Sequence, residues 1–224
     1  MPADVLTDVL TSGTGKQPTL TWRSVAIWVL ATVAGGPIAF LLPQQALAIL
    51  DAEGWLLFAV WSLAGALFGA AAGTVAGLGQ WFALHKSVQW ASQWVVGTVA
   101  GWSFGGVVLM VMIRAAYSEM IANAYTSSSI FTLMWFIYGF AIGLIQWLVV
   151  RCKVRRSAWW IVASSLGWGL GGFMSTVVLS NGTELMERGG IVGILAVLLT
   201  LGAGASLIPG LVTAMTFRVL IADS

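Results

Sequence analysis

Apolar residues run along this chain in long blocks separated by short polar breaks. Neither the alternation of a half-buried strand nor the 3.6-residue stripe of a surface helix dominates. The blocks fall at about 23–42, 55–84, 90–113, 129–150, 157–180 and 190–219, close to or beyond the roughly 20 residues that cross a bilayer as a helix. They are continuous and rich in Gly and Ala, unlike the alternating ten-residue strands of a transmembrane barrel. The pattern predicts an all-α polytopic membrane protein with six transmembrane helices. Gly36-Pro37 in the first block and Pro209-Gly210 in the sixth remove backbone donors, which predicts kinks there.

The blocks repeat. Trp28, Trp94 and Trp160 lie 66 residues apart, as do Thr32, Thr98 and Ser164, and Gly35, Gly101 and Gly167. Gly77-Leu78-x-Gln80-Trp81 returns as Gly143-Leu144-x-Gln146-Trp147, and Gly101-Trp102-x-x-Gly105-Gly106 as Gly167-Trp168-x-x-Gly171-Gly172. Aligning 73–106 with 139–172 without a gap gives 12 identical positions in 34, against about three expected from shared composition. Each copy holds two helices, so all copies enter the membrane in the same sense. Such parallel repeats are related by an axis along the membrane normal. The expectation is three pseudo-repeated helical hairpins, at about 22–87, 88–153 and 154–220, in one membrane domain over 22–224. The third copy has decayed to Gly210-Leu211-x-Thr213, after one inserted residue. The first has Gly36 where the others have Trp.

Composition sharpens this reading. The chain is 59% hydrophobic and only 8% charged, where soluble domains carry about 25% charge. Lys16, Arg23, Lys86, Arg151, Lys153, Arg155, Arg156 and Arg218 fall on one side of the six-span topology, and only Arg114 and Arg188 on the other. That bias predicts cytoplasmic termini. Residues 1–21 form a polar cytoplasmic segment with Asp4, Asp8 and Lys16, unlike the basic start of a cleavable signal peptide. No dense basic run points to nucleic acid. The single cysteine, Cys152, excludes an internal disulfide.

Small residues four apart mark helix faces where backbones can approach closely. Gly97, Gly101 and Gly105 form one such face. Gly139 and Gly143 form another, and Ala163, Gly167 and Gly171 a third. Gly35 holds the equivalent place in the first copy. Tight internal packing is the expected role, with self-association through a leftover glycine face as the alternative. Gln80 and Gln146 sit near the cytoplasmic ends of their helices, beside that face. Each is either an interhelical clamp or the polar end of a ligand site. Trp102 and Trp168 fall near mid-span, either as packing or as walls for an apolar ligand. The expectation leaves no catalytic residue: no span interior contains Asp, Glu, Lys, Arg or His, the groups that mark proton relays and substrate paths. One His and one Cys cannot build a familiar zinc or haem site, so no metal or cofactor is expected.

The pattern G-L-x-Q-W-x-x-x-[HR] at 77–85 and 143–151, followed by a basic linker and by W-x-x-x-[AG]-[TS]-x-x-G-W-x-x-G-G, resembles a group of uncharacterised multi-pass membrane proteins of cyanobacteria and some other bacteria. That resemblance implies a bacterial inner (plasma) membrane or a thylakoid and carries no catalytic residue with it. The resulting expectation is a non-enzymatic membrane protein, an interaction or assembly component with the lipid bilayer and a membrane-protein partner as its contacts. The alternative is a carrier for an apolar ligand such as a lipid, quinone or pigment near Gln80, Gln146, Trp102 and Trp168.

Overall fold

The fold was obtained as a computed structural model that describes residues 20–49, 55–122 and 124–222. Among the described residues there is no strand. The chain forms α1 (Trp22–Ile49), α2 (Trp55–Leu84), α3 (Ala91–Ala122), α4 (Ala124–Val150) and a long element, Trp159–Ala222. Gly190 breaks that last element with φ 52° and ψ −140°, dividing it into α5 (159–189) and α6 (191–222). Glycine suits this point, because positive φ with ψ this far negative is a mirror-β conformation that a residue carrying a Cβ scarcely adopts.

Four segments are long and apolar enough to cross a membrane: Phe58–Leu84, Ala91–Ala115, Ser129–Val150 and Arg188–Ala222. Trp22–Ile38 is a shorter apolar helix. Several helices outrun the apolar blocks. The first was expected to end near 42 and reaches Ile49, the third near 113 and reaches Ala122. The apolar pattern reports which stretch favours lipid and does not mark where a helix ends: α1 runs on through Pro43. No Pro or helix-ending Gly follows the third block, so its polar tail stays helical. Pro209 likewise sits inside continuous helix, without a non-helical dihedral at that residue. Most of the polar segment expected at 1–21, together with Asp51 and Glu53, lies outside the described residues.

Each helix packs on its neighbours in the chain, and α1 also packs on the 159–222 element, closing a ring. Large apolar side chains such as Leu30, Leu63, Phe82, Val96, Leu133 and Phe140 point outward. In a bilayer that surface is solvated by lipid, so its exposure needs no partner. The inside of the ring holds two buried clusters. One gathers Trp28, Trp94, Trp160 and Phe217, the other Trp102, Trp135, Tyr138, Ile142 and Trp168.

Glycine sets the spacing around the ring. A Cβ at Gly35 would lie 2.9 Å from the Ala72 carbonyl oxygen, at Gly101 3.1 Å from that of Ile142, and at Gly167 2.8 Å from Pro209 Cα. These three contacts join α1 to α2, α3 to α4 and α5 to α6. Between hairpins, Gly77 meets Thr98 Cβ at 3.3 Å, Gly143 meets Ser164 Cβ at 2.8 Å and Gly210 meets Thr32 Cβ at 3.3 Å by the same construction. The residues touched, 98, 164 and 32, are the three equivalent Thr and Ser positions of the sequence. Gly171 adds a detail. Its missing side chain lets it abut the Ala205 carbonyl. That carbonyl, four residues before Pro209, lacks its helical donor, and a Cα–H of the neighbouring helix can face it instead.

Candidate functional site

The residues singled out by sequence converge on the centre of the ring. On α3, Trp94, Thr98 and Trp102 lie one turn apart on one face. On α5, Trp160, Ser164 and Trp168 do the same, and on α1 the series is Trp28, Thr32 and Gly36. Four-residue steps keep side chains on one helix face, so the centre is built in layers.

The first layer is aromatic. Trp28, Trp94 and Trp160 meet one another at centroid distances of 5.4, 5.1 and 6.1 Å. Phe217 of α6 touches all three, at 5.0, 5.1 and 5.5 Å. The rings are tilted or edge-on, the arrangements that aromatic quadrupoles prefer. None of the four is more than 1% exposed.

The second layer is polar and accounts for the glutamines. Gln80 Nε2 donates to Thr32 Oγ1 at 3.1 Å, and Gln146 Nε2 donates to Thr98 Oγ1 at 3.1 Å. Trp94 Nε1 donates to Gln80 Oε1 at 2.8 Å, and Trp160 Nε1 to Gln146 Oε1 at 3.1 Å. Every member of the second pair of bonds lies 66 residues after its counterpart. Thr98 ties the two units together by also donating to Gln80 Oε1 at 3.4 Å. In the third position Thr213 Oγ1 accepts from Trp28 Nε1 at 3.2 Å and donates to the Pro209 carbonyl at 2.6 Å. Its short side chain does not extend to Ser164, which turns to the Gly139 carbonyl at 2.8 Å. The network touches all six helices and is buried throughout.

The third layer contains Trp102 and Trp168, 5.1 Å apart and edge to face. Trp135 stacks on Trp168 at 5.9 Å, and Tyr138 meets it edge-on at 5.0 Å. The tip of the Trp102 ring reaches 3.3 Å from where a Gly35 side chain would begin. In the first copy Gly36 replaces the third Trp, and α6 moves into that space with Gly202 and Ser206 against Gly36.

Sequence reasoning singled out Gln80, Gln146, Trp102 and Trp168 as candidates, and the structure places all four, buried, inside the ring. It brings the glutamines together with Trp94, Trp160, Thr32 and Thr98, residues treated by sequence only as repeat markers. The available signal was their 66-residue period together with four-residue spacing to the mid-span tryptophans. Trp135 and Tyr138 lie in the second repeat alone and gave no such signal. The chemistry of the site is limited to neutral hydrogen bonding: among the described residues no cluster of His, Cys, Asp or Glu could hold a metal ion.

Most of the basic residues, Arg114 and Arg188 apart, collect at the end of the ring where α2 meets α3 and α4 meets α5. His85 stacks on Trp81 at 4.8 Å. Arg218 lies 4.0 Å over the exposed Trp22 ring and Lys153 5.3 Å over Trp90. Such cation and indole pairs are the usual furniture of a membrane interface. No protein-family model, curated protein or solved structure shows detectable similarity to the chain.

Proposed function

We propose that this chain is an integral membrane protein of six spans, three hairpins about a pseudo-threefold axis, that works through its outer surface as an interaction or assembly component rather than as an enzyme. In this reading both termini are cytoplasmic, and the membrane is a bacterial plasma membrane or a thylakoid. The observation that carries it is the filled axis. Trp28, Trp94, Trp160 and Phe217 occupy one level, and Gln80, Gln146 and Thr213 spend their hydrogen bonds on those same indoles and on Thr32 and Thr98. Recurrence of the bonds and glycine contacts at repeat-equivalent residues supports the threefold reading. The glutamines are then clamps, the glycines seams, and Trp102 and Trp168 packing. A bundle tied inside by neutral bonds is a rigid body, whose surface is what remains to act.

The test is purification of the full chain, tagged at its native level, in mild detergent, followed by mass spectrometry and an absorption spectrum. The expected result is a defined membrane-protein partner whose own tag recovers this chain in return, without a stoichiometric chromophore or quinone. A stoichiometric apolar ligand in the wild type, absent from a double variant of Gln80 and Gln146 shown by circular dichroism to be still folded, would replace this reading with that of a carrier.

A further inference from the structure

Outside the filled axis, one feature combines charge with an apolar surface. A groove of about 510 Å³ runs along the outside of the third hairpin, between α5 and α6. That size lies within the roughly 300–1,000 Å³ of ordinary ligand pockets. Its walls are apolar and include Val162, Leu166, Val212 and Met215, with Trp159 and Arg156 at the basic end. We propose that this groove binds one anionic phospholipid, its phosphate paired with Arg156 and an acyl chain lying along the helices. The proposal requires only that the chain sits in a bilayer, and is independent of the interaction role argued above.

Three observations support it. The first is dimension. From Trp159 to Leu166 is seven residues and from Leu220 back to Val212 is eight, or about 10–12 Å at 1.5 Å per residue. One leaflet contributes about 15 Å of the 30 Å hydrocarbon core, so the groove covers most of one chain's depth, starting at the charged end.

The second is an unanswered cation. In the preceding hairpin the corresponding position is bridged by the chain itself: Lys153 Nζ donates to Gln93 Oε1 and lies over Trp90. By the 66-residue register Gln93 becomes Trp159 and Trp90 becomes Arg156. Lys153 becomes Leu220, allowing for the residue inserted in α6. The cation has changed walls and the acceptor has gone. Arg156 is exposed, and its guanidinium has no hydrogen-bond or ion-pair partner among the described residues. A guanidinium presents several donors in a fork that matches phosphate oxygens.

The third is backbone. Arg156 is the one non-glycine residue with positive φ among the described residues, at 58°. Holding a side chain there costs energy, and such outliers cluster at ligand sites. The N–H groups of Trp159, Trp160 and Ile161 bond to the carbonyls of Arg156, Ser157 and Ala158, so the first amides of α5 are spent within the turn.

The experiment places the full chain in nanodiscs of equal phosphatidylglycerol and phosphatidylcholine and counts retained lipids by native mass spectrometry. Wild type should retain phosphatidylglycerol about fivefold over phosphatidylcholine, the ratio expected for one basic residue near the surface. Arg156→Gln should lose that preference, while Arg155→Gln, beside it but outside the groove, should keep it. Arg156→Gly removes the charge and suits the positive φ, so it should lose the preference with Tm unchanged or raised. Met215→Trp should fill the groove and reduce retention of both lipids. Equal retention of the two lipids by wild type would overturn the proposal. So would equal losses from Arg155→Gln and Arg156→Gln, which would mean diffuse surface charge, or full retention by Met215→Trp.

Discussion

Replacing Gln80 by Leu tests the polar layer directly. The change keeps most of the volume and suits a membrane interior, so a purely steric account expects a small effect. The structure predicts more. Gln80 holds Trp94 Nε1 at 2.8 Å and Thr32 Oγ1 at 3.1 Å, with Thr98 at the margin at 3.4 Å. Interhelical bonds in membranes average about 0.6 kcal/mol and reach about 1.7, so two good bonds are worth about 1–2 kcal/mol. The loss is not symmetrical. Thr32 still bonds the Trp28 carbonyl at 3.0 Å, but Trp94, at 0% exposure, keeps a buried indole N–H with nothing to accept it. An orphaned donor costs about 1–3 kcal/mol, overlapping the bond loss, so we expect about 2 kcal/mol in all. Trp94→Phe on its own shrinks the aromatic layer. Made in the Gln80→Leu background it also removes the orphan, so the double variant should be more stable than the sum predicts, by about 1 kcal/mol. The assay is unfolding in an SDS and mild-detergent titration, followed by near-ultraviolet circular dichroism of the indole cluster. Gln80→Leu with Trp159→Phe, an exposed residue, supplies the additive control. A Gln80–Trp94 coupling within about 0.5 kcal/mol of zero would refute the claim that this bond holds the layer.

The other predictions follow from the same coordinates. Glycine-to-alanine changes should destabilise in the order Gly139, Gly101, Gly189, because the added Cβ meets the Ser164 carbonyl at 2.6 Å, the Ile142 carbonyl at 3.1 Å, and nothing within 4 Å. Overpacking at the first should cost about 1–3 kcal/mol, read as Tm in detergent, and a flat series would mean the seams are looser than drawn. Trp94→Ala should cost about 3–5 kcal/mol as a large core truncation, measured in the same unfolding titration. For topology, the exposed native Cys152 should react with an impermeant maleimide only from the cytoplasmic side. Gly189→Cys in a Cys152→Ser background should react only from outside, and the reverse labelling would overturn the orientation drawn from the Lys and Arg bias.

Much of the centre was legible because a repeat leaves two independent marks. The 66-residue period identifies equivalent positions, and the four-residue spacing of Trp94, Thr98 and Trp102 puts them on one face. What the sequence withheld was which donor meets which acceptor. Gln80 stands near a glycine face in any reading. That its amide oxygen takes the Trp94 indole proton depends on how close α2 and α3 lie, and Gly73 and Gly77 decide that in three dimensions. The helix ends were misjudged for a different reason. Apolar blocks track lipid preference, so residues such as 114–122 were given to a loop although nothing in them stops a helix. The groove was invisible, because its walls come from residues 156–166 and 212–220, which form one surface only once α5 and α6 are side by side.

The departures from the repeat are concentrated where the ring closes. Five of the six contacts around it join helices adjacent in the chain, and the sixth, α6 to α1, has no loop to hold it. It must persist by contact alone. There the chain gives up the mid-span Trp for Gly36, and Gly202 and Ser206 come against that glycine. It also gives up the glutamine for Thr213, which makes one bond to Trp28 where Gln80 and Gln146 each join two further helices. Close backbone approach thus substitutes for an amide clamp, as it does where small residues line membrane interfaces. The hairpin that lacks Gln-Trp also lacks the Lys153–Gln93 bridge of the second copy on its outer side, and has Arg156 at positive φ beside an apolar groove. A residue kept in all copies is explained by the bundle they jointly build. A charge that appears in one copy, at a strained position and without a side-chain partner among the described residues, is not, and that contrast is why the search for a ligand belongs on the outside of the third hairpin and not on the axis.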